Sequence, residues 1–423
     1  MANAGQGGVN RTAHDSGLTT HLYDVIRDPL WDNIRLEPVA VACIDTPAYQ
    51  RLRYVRQLGH AFLVYPGATH TRFEHGLGAY HLARQALAML GERGDLDGIG
   101  EDERLAVRLA TLLHDLGHYP FSHALEEAGF PHHETLGAAR LGAGALGAVL
   151  RDAGGDALVE RIRALIQGRS DSPLAGLVSG SLDLDKLDYL SRDARNCGVP
   201  YGVLDVDRLL ASLTLVRAGD RRAVGVHEKG VSALESLLFA KYQMYRNVYW
   251  HHAVRSATCM FKRAVRATVA RGRMTAAQLA EATDDGLGAL LTEHDPTGLA
   301  AALRERRLHK RALDLPASEV PAIPAWVSDD PDRLEEAENR LAADWGLAPG
   351  EVLVDFPRRS AMLGVDLPLL TREGRVERLT DAGRAGQLGL PRIAEELYAS
   401  ARRLRIFTAV PRVVEGVPAI LRG

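Results

Sequence analysis

Cysteine is nearly missing from this chain: Cys43, Cys197 and Cys259 are the only three in 423 residues, far apart and without a CxxC pair. That excludes a disulfide framework and argues against a cysteine-ligated zinc site, and it fits a reducing compartment. All three are expected to be small buried residues. No apolar run approaches the roughly 18 to 20 residues needed to cross a bilayer, and residues 1–10 are rich in Gly and Asn where a signal peptide would be apolar. A cytoplasmic protein is expected. An excess of either charge is also lacking. The 51 Lys+Arg and 54 Asp+Glu leave a net charge of -3, which gives no global pull toward nucleic acid or an anionic membrane. Any site for a polyanion must be local. Lysine itself is scarce: only positions 186, 229, 241, 262 and 310 carry it, the other basic residues being arginine.

With 46% hydrophobic and 25% charged residues, the composition is that of a globular protein. Of its 16 histidines, nine (60, 70, 75, 81, 114, 118, 123, 132 and 133) fall between residues 60 and 133. Such clustering points to a metal or phosphate site. Apolar residues recur at helical spacing in Leu105, Leu109, Leu112 and Leu113, in Leu158, Ile162, Leu165 and Ile166, and in Leu234, Leu237, Leu238 and Tyr242. The fold class is therefore mainly α. One hairpin is predicted, from Ser212–Val216 and Ala223–Val226 across Gly219-Asp220. Residues 1–20 read as a flexible tail and 21–270 as a helical core. Residues 271–423 read as a smaller α+β C-terminal lobe, with strands at Val352–Phe356 and Ile406–Val410 around a helix from Pro391 to Leu404.

Three separated segments supply the residue types of one metal site. His75 starts a helical stretch, the adjacent His114-Asp115 ends another, and Asp185 opens a third. Two imidazoles and two carboxylates suit Mn, Fe, Zn, Mg or a similar divalent ion and leave positions for water and a phosphate oxygen. Spacing alone cannot assign the set, because each residue could equally be a helix cap or a satisfied polar group.

The surrounding text is more specific. Thr71-Arg72-Phe73-Glu74-His75-Gly76-Leu77-Gly78, then Leu113-His114-Asp115-Leu116-Gly117-His118-Tyr119-Pro120-Phe121-Ser122-His123, then Leu184-Asp185-Lys186-Leu187-Asp188-Tyr189 resemble the H…HD…D motifs of HD-domain metal-dependent phosphohydrolases. Ile44-Asp45-Thr46-Pro47 through Gly59 and Met244-Tyr245-Arg246-Asn247 through His252 resemble the deoxynucleoside triphosphate triphosphohydrolase branch. The resemblance covers about residues 22 to 270 and implies a helical HD-domain core without the SAM module of some eukaryotic members. It implies one divalent ion on His75, His114, Asp115 and Asp185, and a triphosphate-releasing hydrolysis of dNTPs. It also gives His123 as general acid, with His118 and His133 on the α-phosphate or holding that acid. An imidazole suits this work because its ordinary pKa of ~6.5 lies near working pH. Arg72, Lys186 and Arg246 become phosphate clamps, Tyr189 a hydrogen-bond donor, and Gln57 and Asp193 holders of the sugar 3′-hydroxyl.

By the same resemblance a second, activating nucleotide with its own Mg would bind Asp45, Gln50 and Arg53 with Arg208, Arg306 and Lys310, in a homo-oligomer, a tetramer being favoured. Asp24 stands there where a lysine is expected, and an Asp45–Arg53 ion pair is the structural alternative. Val254 and Trp250 replace a tyrosine and a histidine of the family pattern. Asp188 has a structural reading as well, an ion pair with Arg192 at i, i+4. Competing functions are an HD phosphohydrolase acting on nucleoside monophosphates or cyclic dinucleotides, and a nucleic-acid-binding protein with a degenerate site. Lys186 and Arg246 weigh against the first, the net charge and four intact ligand positions against the second.

Overall fold

A computed structural model describes residues 23–320, 322–358, 366–379 and 390–422; the expected tail over residues 1–20 lies outside them. The chain is mainly helical, with three small sheets. It opens on a hairpin that periodicity did not suggest, β1 (Asp24–Asp28) paired antiparallel with β2 (Asp32–Leu36). Its strands carry few apolar residues, and only Ile34, Leu36 and Asp28 are buried.

Three helices build the centre. The helix Arg72–Glu92 begins with a capping box, in which Glu74 reaches back to the Thr71 N–H at 2.6 Å. The helix Glu101–Leu113 carries Glu101, Asp102 and Glu103 in its first turn, where the positive end of the helix dipole favours them. The helix Leu184–Cys197 is capped by Asp183, which accepts from the Lys186 N–H at 3.1 Å, and it ends on Gly198 at a left-handed φ of 67°. Two glycines let these helices approach. A Cβ at Gly76 would lie 2.9 Å from the Leu112 carbonyl, and one at Gly78 only 1.8 Å from Asp188 Oδ1. The face that bears His75 is therefore pressed against both other helices, over a core that includes Leu82, Leu109, Leu112, Leu187 and Leu190.

The predicted hairpin is present as β3 (Leu213–Ala218) and β4 (Arg221–His227), antiparallel with Leu213 opposite Val226. Five later strands follow: β5 (Lys310–Pro316), β6 (Val352–Asp355), β7 (Pro368–Leu370), β8 (Val376–Arg378) and β9 (Arg403–Thr408). The first sheet of this part has the order β5-β9-β6 and is antiparallel; β7 and β8 instead extend the hairpin into a sheet β3-β4-β7-β8. The helix expected over Pro391–Leu404 spans Leu390–Ala401, because Arg403 onward pairs with β5 and β6. Side chains on both sides of residue 270 share one core: Tyr119 and Leu125 pack in a cluster with Met260, Leu279, Leu303 and Phe407. Cys43 and Cys259 are buried as expected, whereas Cys197 is only partly so.

Candidate active site

The three central helices bring His75, His114, Asp115 and Asp185 together. His75 Nε2 lies 2.7 Å from Asp185 Oδ1 and 3.7 Å from Asp115 Oδ2. His114 Nε2 is 3.4 Å from both Asp115 Oδ1 and Asp185 Oδ1, and 3.2 Å from His75 Nε2. Neighbouring ligands at 2.0–2.1 Å from one ion should stand about 2.9–3.4 Å apart; His75, His114 and Asp115 lie close enough together to hold a metal, and Asp185 closes on both imidazoles. The outer ring nitrogens make the same point. His114 Nδ1 can only donate to the Thr111 carbonyl, 2.8 Å away, and His75 Nδ1 donates to the Asp188 carboxylate at 2.7 Å. Both Nε2 lone pairs then face each other. Two lone pairs at that distance repel unless a cation, a proton or a metal ion, sits between them. Charge agrees: burial opposes a proton on His75, but Asp185 and Asp188 outweigh it and push the imidazole up to about 10. Burial likewise opposes ionisation of Asp185, and the facing His114 and His75 imidazoles overcome it and hold the carboxyl well below its usual range. The donor set fits a divalent metal.

Asp188 makes the i, i+4 ion pair that the sequence suggested and a second contact that the sequence did not show. It pairs with Arg192 at 2.9 Å, and through its other contacts it orients His75. Arg192 also binds Asp28, and Trp31 Nε1 donates to Asp188 Oδ1. The first hairpin therefore supports, across 157 residues of sequence, the carboxylate that orients the candidate ligand His75.

A second cluster adjoins the first. Arg72 Nη1 holds Asp115 Oδ2 at 2.6 Å and Arg72 Nη2 reaches Ser122 Oγ at 2.5 Å, so this arginine grips the turn after the HD pair. Phe121 and Ser122 there adopt left-handed φ values of 58° and 66°. Such strain persists only where the surroundings fix it; buried Asp284 accepts the Phe121 N–H at 2.9 Å. His118 Nε2 is 3.1 Å from Asp115 Oδ1, and its ring stacks on His133 at 3.8 Å and meets His123 edge-on at 4.7 Å. Glu126, which the sequence gave no reason to choose, joins them. It lies 2.8 Å from His133 Nδ1, 3.2 Å from His123 Nδ1 and 3.1 Å from His132 Nε2. Burial, Arg72 and His133 hold His118 well below the usual imidazole range, and so neutral. His123, its side chain 56% accessible, is exposed, as is His132 at 53%, whereas His118 and His133 are enclosed.

Gln57 and Asp193 meet through His70. The His70 carbonyl accepts the Gln57 N–H at 3.0 Å, and His70 Nε2 binds Asp193 Oδ1 at 2.8 Å, while Tyr249 donates to Asp193 Oδ2 at 2.7 Å. Gln57 Oε1 is buried without a partner among the described residues. Lys186 Nζ binds Asp183 and the Gly180 carbonyl at 3.0 Å. Tyr189 stands 6.4 Å from His75, ring to ring. Arg246 is exposed on a π-helical turn, Tyr245–Tyr249, and donates to Tyr242 Oη at 2.6 Å; such turns often occur at functional sites. Val254 packs with Ala61 and Ala68, and Trp250 with Tyr242, Tyr398 and Ala401. Histidine clustering alone would also have chosen His60, which instead stacks on Phe121 at 4.4 Å, and burial pushes it down to about 3.

The second-nucleotide residues are not gathered. Arg53 donates to Gln50 Oε1 at 2.8 Å and lies over the Phe73 ring, so the Asp45–Arg53 ion pair does not form. Arg208 reaches the Lys229 carbonyl and Arg306 the Leu63 carbonyl, and Lys310 is exposed on β5. Among the described residues no hydrogen bond or ion pair links these three to Asp45, Gln50 or Arg53. Asp24 is exposed on β1.

Residues 72–193 match the HD domain and residues 204–384 the HD associated region. An uncharacterized protein of Methanocaldococcus jannaschii is 32% identical over 365 residues, 86% of this chain and 75% of that one. The deoxynucleoside triphosphate triphosphohydrolase SAMHD1 of Homo sapiens is 31% identical over 263 residues, 54% of this chain and 42% of that one, so the match spans less than half of that relative. Among solved structures, a phosphohydrolase from Bacteroides thetaiotaomicron superposes with a TM-score of 0.72 at 23% identity, over 92% of this chain and all of that one. A hypothetical protein from Aquifex aeolicus gives 0.68 at 27% identity, over 92% and 96%. No helix among the described residues is long and apolar enough to cross a membrane. With a metal-competent H…HD…D set and both regions matched in order, the chain belongs to the HD-domain phosphohydrolase family.

Proposed function

We propose that this protein hydrolyses deoxynucleoside triphosphates to deoxynucleoside and inorganic triphosphate in the cytoplasm. The observation that carries the reading is the way His118 joins the two clusters. Its Nε2 faces Asp115, and its ring touches His133 and His123, so a phosphate held at the ligand set would lie beside imidazoles suited to proton transfer. His75, His114, Asp115 and Asp185 would hold the ion, Mn, Fe, Zn or Mg, which when bound polarises a phosphoryl oxygen and makes hydroxide available near neutral pH. His123, oriented by Glu126, gives a proton to the leaving 5′-oxygen; His133 and neutral His118 hold it in place. Arg72, Lys186 and Arg246 neutralise the phosphates, with Tyr189 donating a hydrogen bond. Asp193 and Gln57 receive the sugar hydroxyl.

Residues 21–270 form the catalytic core in this reading. A second nucleotide with Mg at Asp45, Gln50 and Arg53, completed by Arg208, Arg306 and Lys310 across a homotetramer, raises activity. The test is incubation of the purified protein with each dNTP, singly and in pairs, across several divalent metals, with products separated by anion exchange. Nucleoside plus triphosphate supports the reading. Orthophosphate or pyrophosphate as first product refutes it, and strictly additive rates in mixtures refute the activation.

A further inference from the structure

We propose that Lys241 is a further substrate-holding cation of this site, which binds a distal phosphate of a polyphosphate beside Lys186. The inference rests on the triphosphatase reading and adds to it the residue that holds an outer phosphate.

Lys241 is one of only five lysines, and it lies on the inward side of the helix Val231–Met244 with 7% of its surface exposed. A lysine with so little surface exposed normally has a carboxylate or several acceptors around its ammonium. Among the described residues this one has neither a hydrogen bond nor an ion pair. The charges near enough to act on it are Lys186, Asp183 and Asp185. Both acids are engaged: Asp183 with Lys186 Nζ, and Asp185 with His75 and His114. Lys241 therefore adds a second cation to the Lys186 side of the ligand set without a counter-charge of its own. Burial first, then Lys186, pushes its pKa down to about 8, which still leaves it mostly charged at neutral pH.

The local chain points the same way. Lys241 Nζ stands 6.0 Å from the centre of the Tyr245 ring, one turn along, and Tyr245 is followed by Arg246. Tyr242 and Arg246, also one turn apart, hold each other. The π turn that continues this helix brings Tyr249 to 6.4 Å, ring to ring, from Tyr189, so the helix bearing Lys241 runs beside the helix that carries Lys186 and Asp185. A phosphate monoester would need the ligand set and Arg72 alone. A triphosphate extends past them, and its outer oxygens would supply the counter-charge that Lys241 lacks. In a water-poor site that pairing is stronger than at a surface.

The test uses the full chain loaded with Mn2+, as wild type, Lys241→Met and Lys241→Arg. Inorganic tripolyphosphate and orthophosphate binding are measured by calorimetry, dNTP turnover by product analysis, and stability by denaturant unfolding. Lys241→Met is expected to weaken tripolyphosphate binding and raise KM for the dNTP by about 10- to 100-fold, the size of a charged hydrogen bond. Orthophosphate binding should stay unchanged. Stability should stay equal or rise, since a charge without a hydrogen-bond partner has been removed, and Lys241→Arg should restore much of the binding. Unchanged tripolyphosphate affinity in the Met variant would overturn the proposal, as would a loss of stability with equal loss of both phosphates. If no dNTP is turned over while tripolyphosphate binding still depends on Lys241, the triphosphatase reading fails and the site stands.

Discussion

Asp188→Asn tests how the metal ligands are held. Asp188 is fully buried, and its two oxygens accept four hydrogen bonds, from Trp31 Nε1, twice from Arg192 and from His75 Nδ1. Asparagine keeps the shape but replaces one acceptor with an NH2 group, so one edge of the network must meet a donor with a donor. Removing one partner of a buried ion pair costs roughly 3–5 kcal/mol. Arg192 retains Asp28 at 2.8 Å, which places the loss at the lower end, about 3 kcal/mol. The effect on metal is separate. Without a carboxylate on its Nδ1, His75 loses the fixed tautomer that presents Nε2, and affinity should fall by about 10- to 100-fold. Denaturant unfolding of the metal-stripped protein measures the first effect, and Zn2+ or Mn2+ titration in a chelator buffer the second. Wild-type metal affinity in Asp188→Asn would refute the orienting role even if stability fell.

His114→Ala or Asp115→Ala is expected to abolish both metal binding and hydrolysis while far-ultraviolet circular dichroism still reports a helical protein; retained metal and turnover in either would mean the ligand set is wrong. His123→Ala should lose roughly 10²- to 10⁴-fold in rate, as for removal of a positioned acid, with metal content measured by mass spectrometry unchanged. The third concerns pH. Burial raises Glu338 from its ordinary 4.5 to about 7, while its Oε1 accepts the Val354 N–H and Arg263 stands 3.5 Å away. A carboxyl raised on folding contributes stability that is fully present below its unfolded pKa and is lost as pH rises through 7. Glu338→Gln should therefore gain on the wild type between pH 5 and pH 8, by at most about 3 kcal/mol; parallel stability profiles would show that the group is not held neutral.

The candidate metal ligands stand out because each sits in a distinctive run of sequence: His75 after Arg72-Phe73-Glu74, the HD pair before Leu116-Gly117-His118, and Asp185 before Lys186. The helix that ends at the HD pair was legible too, since Leu105, Leu109, Leu112 and Leu113 follow a helical period. What supports the ligands was less visible. Asp188 looked like half of an i, i+4 pair, because its bonds to His75 and Trp31 cross 113 and 157 residues of sequence. Glu126 sits in an ordinary Leu125-Glu126-Glu127 run; it meets His123 one helical turn away, and His133 only through the fold of the loop that follows. The first hairpin escaped notice because one buried isoleucine and one buried leucine give almost no alternation. Lys241 was equally silent: a lysine in a helix is ordinarily solvated, and only its burial marks it out.

Hydrolysis in ¹⁸O-labelled water bears most directly on the proposed reaction. With metal-loaded protein and a single dNTP, attack at the α-phosphorus with the 5′-oxygen leaving should place the label in inorganic triphosphate and none in the nucleoside. Label in the nucleoside, or labelled orthophosphate as the first product, would contradict it.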